Sequence, residues 1–391
     1  MSLGSLGLTD PSVPGVALIG DGAQLREVVA EAGEQLIDRR YLRYKPGTSL
    51  VAGLTLSSGP GFAYAVGADA APKLHKTLDR APKGSVLWRA STESVVIARA
   101  EADRDLPGLT RTDRLARTLP ELAGLTRWAT LAYKPQRRWV ARPLDGCCPL
   151  PVVVRAYRRG DLRDAMAGWE LAAEVAARGS GLVLPRILAR DERRGSAVAS
   201  WLPGTPLDRL LADGSTPSDV LTRVGAQLAR LHGGLPGRPG DGVTGRLRAA
   251  GVVLRELTAV LPDCRARAVE LLRRLTAAAP TSRLLRPVHG DFSADQVIVD
   301  AEGVVGFTDW DRGGWGDPGG DLGTLCAAGL SRAGHDAVLA GYADVRDLPA
   351  DIDWHAVLSR LLRITEPLRQ CRPAWRGEIA ARLDALEEAM G

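Results

Sequence analysis

The sequence is poor in cysteine, and the few cysteines it has exclude two classes of small-protein scaffold. Its 391 residues contain five, of which Cys147 and Cys148 are adjacent while Cys264, Cys326 and Cys371 stand alone. An odd number without metal-ligand spacing argues against a disulfide framework and against a zinc site. We therefore expect reduced thiols and a cytoplasmic protein.

The sequence also lacks a strong excess of charge of one sign and a long apolar run. The 51 Lys and Arg residues are spread among 46 Asp and Glu residues, so no dense basic stripe predicts a nucleic-acid partner. The first 22 residues lack the pattern of a signal peptide. The longest uncharged stretch, 46–68, is interrupted by turn residues at 57–61, which indicates two short strands and no membrane span.

Lysine is scarce as well. The chain has five lysines against 46 arginines, and none follows Lys134. Any positively charged side chain that contacts a ligand from a position after residue 134 must therefore belong to another residue type.

An internal repeat organises the first half of the chain. The segment that starts at Leu42, LRYKPGTSLVA, recurs 89 residues later at Leu131 as LAYKPQRRWVA, and a second short apolar segment follows each copy. Alternating Val, Tyr and Trp residues between turn residues predict two related hairpins. After Trp201, helical spacing of apolar residues predominates. The predicted parts are a β-rich extension at 1–125 that partly duplicates the next part, a β-rich lobe at 126–202 and a helical lobe at 203–391.

Polar residues that could take part in catalysis surround a third predicted hairpin, formed by residues 296–299 and 304–308. Asp291 lies on the loop before it, Gln296 at its start and Asp309 just after its end. The Asp309 carboxylate and the Gln296 amide oxygen, at one end of the hairpin, are the hard ligands that Mg²⁺ prefers. The Asp291 carboxylate is then free to accept a proton from a hydroxyl group.

At this point the sequence resembles the aminoglycoside phosphotransferase and choline kinase-like family. Four motifs match in order and spacing, namely His289-Gly290-Asp291, Asp309-Trp310, Gly316-Asp317-Pro318 and Asp321-Leu322. The resemblance covers roughly 131–391. It implies an α+β, two-lobed protein-kinase-like fold with a β-rich N-lobe, a helical C-lobe and, here, an additional β-rich N-terminal extension.

The resemblance also implies roles for the motif residues. Asp291 matches the catalytic residue that orients and deprotonates the acceptor hydroxyl group. Gln296 takes the place of a metal-binding Asn, and Asp309 matches the residue that bridges Mg²⁺ to the phosphates of ATP or another nucleoside triphosphate. His289 is interpreted as a residue that braces the loop rather than as a base.

In the N-lobe, the resemblance implies a nucleotide site with one substitution. Arg155 stands where the family has a phosphate-binding Lys, and Lys134 is the alternative cation. Glu170 is predicted to pair with Arg155, with Glu174 as the competing candidate. The next segment resembles the hinge that borders the adenine and contains Ser200, Trp201 and Leu202.

Three functions remain open from the sequence. The first is an ATP-dependent kinase of a small-molecule hydroxyl group, and the second is a kinase of Ser or Thr in a peptide, with the extension binding a leader segment or another protein partner. The third is a pseudokinase, because Arg155 and Gln296 depart from the family pattern. The stretch 360–376 is basic and contains Trp375, which favours an anionic, neutral or peptide acceptor over an aminoglycoside.

Overall fold

The N-terminal part of the chain is built around an antiparallel sheet. The computed structural model describes residues 3–90, 94–110, 112–125, 127–144, 148–214, 218–281, 284–327 and 330–390. Two helices precede the first sheet, which has the order β1-β2-β3-β5-β4, and a third helix lies between β3 and β4. The elements are α1 (Gly15–Gly20), α2 (Gly22–Glu31), β1 (Leu36–Lys45), β2 (Ser49–Leu56), β3 (Gly59–Val66), α3 (Ala71–Leu78), β4 (Val86–Arg89) and β5 (Val95–Arg99).

A second antiparallel sheet follows, and it has the equivalent order, β6-β7-β8-β10-β9. Its central strand has the sequence VVVRAY and is buried along its whole length, as a run of β-branched residues favours. The elements are β6 (Trp128–Lys134), β7 (Arg138–Pro143), β8 (Val152–Tyr157), α4 (Asp161–Ala177), β9 (Ile187–Asp191) and β10 (Ser196–Ser200). Leu106, Leu115 and Leu122, which the sequence prediction assigned to the extension, pack on this second sheet.

The remainder of the chain is mainly helical. Its helices are α5 (Leu207–Ala212), α6 (Ser218–Gly233), α7 (Thr244–Val260), α8 (Arg265–Ala277), α9 (Pro318–Cys326), α10 (Arg332–Ala343), α11 (Ile352–Leu362), α12 (Glu366–Arg369) and α13 (Trp375–Ala389). Its strands are short and form two small sheets: β11 (Thr205–Pro206), β12 (Arg238–Pro239), β13 (Leu284–Val288), β14 (Val297–Val299), β15 (Val305–Phe307) and β16 (Gly314–Gly316).

Two of the hydrophobic cores join parts that are distant in sequence. One unites α1, α2 and a face of the first sheet with α7, α8, α11 and α13, so the N-terminal part is anchored on the last helices. Another packs α4 against α6, α10 and the β14–β15 hairpin. Across the described residues, no helix is both long enough and apolar enough to span a membrane.

Candidate active site

The β14–β15 hairpin places two of the predicted residues side by side. The N–H of Thr308 donates a hydrogen bond to the backbone oxygen of Gln296 at 2.9 Å, so Asp309 follows directly beside Gln296. Asp309 has a φ of 65°, in the left-handed region that non-glycine residues rarely adopt. The hairpin itself was predicted from the sequence and is present.

The loop that carries Asp291 is braced by buried polar groups. The imidazole of His289 is fully buried, and its Nε2 donates to the backbone oxygen of Thr308 at 2.7 Å. The carboxylate of Asp321 accepts from the N–H groups of His289 and Gly290 at 2.7 and 2.8 Å. These bonds hold His289 and Gly290, the two residues directly before Asp291, whose own carboxylate is partly exposed.

Asp309 and its neighbour Asp311 form a charged cluster with two arginines of the second sheet. Arg155 Nη1 lies 2.6 Å from Asp309 Oδ1, and Arg138 Nη1 lies 2.8 Å from the same atom. Arg138 also reaches Asp311 Oδ2 at 2.5 Å. Burial alone would raise the pKa of Asp309, but the two guanidinium charges outweigh it and hold that pKa well below its usual value.

Asp311 connects this charged cluster to the second sheet and to α4. Its Oδ1 accepts from the Tyr157 hydroxyl at 2.9 Å and from Trp169 Nε1 at 3.1 Å. The guanidinium carbon of Arg155 lies 5.2 Å from the centre of the Trp169 ring, within cation–π distance. These contacts fix Asp309 and Asp311 relative to both lobes.

Sequence analysis missed Arg138 as a site residue. It lies on β7, in the second copy of the repeat, where the first copy has Ser49. That difference between otherwise similar segments was the available signal. Its partner Asp309 is 171 residues away, so no local pattern connects them.

The predicted pair between Arg155 and Glu170 is wrong. Glu170 lies on the solvent side of α4 and pairs with Arg190 at 2.8 Å, while Arg155 is 6% exposed and faces Asp309 and Asp311. The competing candidate, Glu174, is one helical turn further on the same exposed side and pairs with Arg178.

Additional cations surround Asp291. Arg363 Nη2 lies 3.3 Å from Asp291 Oδ1, and Arg312 Nη1 lies 3.5 Å from Asp291 Oδ2. Lys134, at the end of β6, is exposed and lies within electrostatic range of Asp309 and Asp291. Desolvation and the nearby charge of Arg138 lower its pKa, against the attraction of Asp309 and Asp291.

Trp375, expected from the sequence to belong to the acceptor region, lies in the core instead. It is fully buried, and its Nε1 donates to the backbone oxygen of Leu6 at 2.9 Å. In the basic stretch that contains it, Arg363 is the residue that contacts Asp291.

The three predicted hinge residues lie where β10 leaves the second sheet. The Ser200 hydroxyl accepts from the N–H of Arg186 at 2.9 Å, and the N–H of Trp201 donates to the Pro151 oxygen at 2.7 Å. The Leu202 side chain covers Gly306, where a Cβ atom would come within 2.8 Å of Leu202 Cδ2. The segment therefore connects the second sheet to the strand that leads to Asp309.

The oxygen donors beside the hairpin are chemically suited to a hard cation. Gln296 donates through Nε2 to Asp295 at 2.8 Å, which leaves its amide oxygen as the ligand group. The strongly lowered pKa of Asp309 keeps that carboxylate ionised. Within the described ranges, no group of three or more His, Cys, Asp or Glu side chains is placed to hold a metal ion, so such a cation must take further ligands from elsewhere.

Comparisons with known proteins bear on the family and the fold of the chain. The model of a family described as "Phosphotransferase enzyme family" matches residues 136–358. A choline/ethanolamine kinase family protein from Mesorhizobium loti is 22% identical, with a TM-score of 0.50, over 71% of this chain and 92% of that one. The GDP and kanamycin complex of APH(2")-IIia is 18% identical, with a TM-score of 0.51, over 72% of this chain and 98% of that one. No curated protein matches the sequence. The structural likeness confirms the predicted fold class.

Proposed function

Because the chain belongs to the phosphotransferase enzyme family, we propose that it transfers the γ-phosphoryl group of a nucleoside triphosphate to a hydroxyl group of a small molecule. The observation that carries the proposal is the cleft between the second sheet and the helical lobe, where Arg138 and Arg155 contact Asp309. Lys134 lies within electrostatic range of both Asp309 and Asp291 there. Phosphoryl transfer is catalysed largely by positioning and by charge stabilisation, and this cleft supplies both.

In the proposed mechanism, Asp291 orients the acceptor hydroxyl group and accepts its proton. The carboxylate is 37% exposed, so an acceptor can approach it from solvent. His289 and Asp321 act through the loop, because they bond its backbone rather than the reacting groups. A proton taken up at Asp291 can return to solvent directly.

The phosphates would be held by the cations of the second sheet. Arg155 takes the place of the Lys that the family resemblance implies, and Arg138 adds a second guanidinium group beside Asp309. Each guanidinium has five N–H donors in a planar fork, so it can contact a carboxylate and a phosphate oxygen at once. Lys134 lies near the same carboxylates and would add a third positive charge for the phosphates.

Asp309 and Gln296 would hold Mg²⁺. The bound ion supplies charge neutralisation for the phosphates of the nucleotide. Gln296 keeps the amide oxygen of the Asn found in relatives, and the backbone bond between its oxygen and Thr308 fixes its main chain beside Asp309.

The acceptor is proposed to be neutral or anionic. Arg363 and Arg312 lie within 3.5 Å of the Asp291 carboxylate, so a cationic amine placed there would meet two positive charges. One face of the first sheet is covered by α7, α8, α11 and α13. The peptide and protein partners predicted for the extension stay predictions, because strand addition would use the edge of a sheet rather than its face.

The test is a screen for transfer of labelled phosphate from ATP and GTP to hydroxyl compounds supplied as matched anionic, neutral and cationic sets. We expect transfer to anionic or neutral acceptors, and Asp291→Asn should lower kcat by about 10² to 10⁴ while nucleotide affinity is unchanged, as expected of a positioned base. Full activity in Asp291→Asn would contradict the mechanism. Nucleotide binding without transfer to any acceptor would favour the pseudokinase alternative.

A further inference from the structure

The two five-stranded sheets correspond residue by residue. In the first, Ser49 lies opposite Val66 and Val51 opposite Tyr64. In the second, Arg138 lies opposite Tyr157 and Val140 opposite Arg155. The internal repeat aligns Ser49 with Arg138 and Val51 with Val140, so the register makes Tyr64 the equivalent of Arg155.

The correspondence extends to the turn between the first two strands of each sheet. We call each sheet with the segment before it a unit. In each unit an Asp carboxylate accepts hydrogen bonds from a Tyr hydroxyl and from the N–H of a turn residue. These residues are Asp10, Tyr44 and Gly47 in the first unit, and Asp103, Tyr133 and Gln136 in the second. The distances are 2.8 and 2.7 Å in the first unit and 3.0 and 2.7 Å in the second. Both turn residues have positive φ angles, 69° and 62°.

A shared sequence motif precedes both sheets. Each Asp is followed five residues later by a glycine, Gly15 or Gly108, which is pressed against the fifth strand of its own sheet. A Cβ on Gly15 would lie 2.1 Å from Val95 Cγ2, and one on Gly108 would lie 2.8 Å from Ser196 Cβ. Val95 and Ser196 pair with Ala65 and Ala156, which the register also makes equivalent.

The first unit lacks the charges of the second. Ser49 and Tyr64 stand where Arg138 and Arg155 contact Asp309, so the first unit has neither guanidinium group for a phosphate. The same face of its sheet packs in a hydrophobic cluster that includes Phe62 and Leu74. It is therefore not a second nucleotide site.

The first unit does contact the turn that leads to the active-site cations. Arg43, on β1, donates through Nη2 to the Gln136 side-chain oxygen. Gly53, on β2, leaves room for the same turn, since a Cβ there would lie 3.2 Å from Pro135 Cδ. On its other side the unit is anchored to the helical lobe, where Arg376 donates to the backbone oxygens of Leu6 and Gly7 at 3.0 and 2.7 Å.

From these contacts we infer that residues 10–99 are a complete second copy of the nucleotide-binding lobe, which has lost its phosphate contacts and now holds the 134–138 turn of the working copy. Arg43 is a positioning residue. A Gln at a left-handed position is strained relative to Gly, which the first copy uses there, and the Arg43 bond gives its side chain a function. The turn then presents Lys134 and Arg138 to the phosphates.

This inference depends on the proposed function, and calorimetry with ATP and Mg²⁺ tests the two separately. We expect one nucleotide per chain. Arg43→Met and Gln136→Gly should each raise the dissociation constant and the KM for ATP about tenfold at unchanged kcat. The double variant should be no worse than either single variant, because the two residues act through one bond.

Arg40→Met is the matched control, since Arg40 lies on the same strand, is exposed and pairs only locally with Asp38. It should bind ATP like the wild type. Arg40→Met and Arg43→Met should keep the wild-type unfolding midpoint, and Gln136→Gly should keep or raise it, because glycine suits a left-handed position. Gln136→Gly keeps the test valid if Arg43→Met unfolds, because glycine suits the turn. Wild-type affinity in both variants, or two nucleotides per chain, would overturn the inference and leave the proposed function intact. A wild-type chain that binds no nucleotide would overturn both.

Discussion

Replacing Arg155 by methionine tests the charged cluster most sharply. The side chain is 8% exposed, and its Nη1 lies 2.6 Å from Asp309 and 3.3 Å from Asp311. Removing one partner of a buried ion pair typically costs about 3–5 kcal/mol, because the other charge stays buried. Arg138 still contacts both carboxylates, so we expect the low end, a loss of about 3 kcal/mol in the free energy of unfolding, together with weaker ATP binding.

The assay is unfolding in urea, monitored by circular dichroism. Arg190→Met is the matched control, because Arg190 is 50% exposed and its pair with Glu170 should contribute no more than about 1 kcal/mol. Arg155→Met combined with Glu170→Ala should be additive to within about 0.5 kcal/mol, whereas combination with Asp311→Asn should not. If Arg155→Met were as mild as the control, or coupled to Glu170, the assignment of its partners would be refuted.

Two other predictions concern stability. The pKa of Glu34 is lowered to about 2 by hydrogen bonds from Ser57 and Ser58 and by its ion pair with Arg99. The ionised carboxylate therefore stabilises the fold above pH 4.5, and this contribution is lost as the pH falls towards 2. The free energy of unfolding, measured against pH, should fall over this range in the wild type, and Glu34→Gln should lack this part of the fall. A Cβ on Gly168 in α4 would lie 2.2 Å from the Trp310 oxygen, so Gly168→Ala should lower the free energy of unfolding by about 1–3 kcal/mol and reduce activity. Gly245→Ala, in the first turn of α7 and facing open space, should leave activity unchanged and should not lower stability. Equal effects of the two glycine substitutions would contradict the packing of α4 against the Asp309 loop.

Three of the predicted residues lie on one short segment, whereas Arg155, predicted from the family resemblance, meets Asp309 across 154 residues. Asp291, Gln296 and Asp309 are joined by one hairpin, and His289 bonds within the same segment. Local spacing and turn chemistry are sufficient to predict such an arrangement.

The residues that were missed or misassigned depend on long-range packing. Arg138 meets Asp309 only after the second sheet packs against the helical lobe. Helical periodicity alone does not say which side of α4 faces the site, and the side that does carries Gly168 and Trp169 rather than Glu170. The repeat was visible at its hairpins, but its full extent required the hydrogen bonds of Asp10 and Asp103.

The most direct test of the central claim is calorimetric titration of the wild-type chain and of Asp309→Ala with ATP, each with and without Mg²⁺. If the phosphates and the cation bind at the cluster of Arg138, Arg155 and Asp309, Mg²⁺ should strengthen ATP binding by the wild type and have little effect on Asp309→Ala. An equal effect of Mg²⁺ on both proteins would contradict the account.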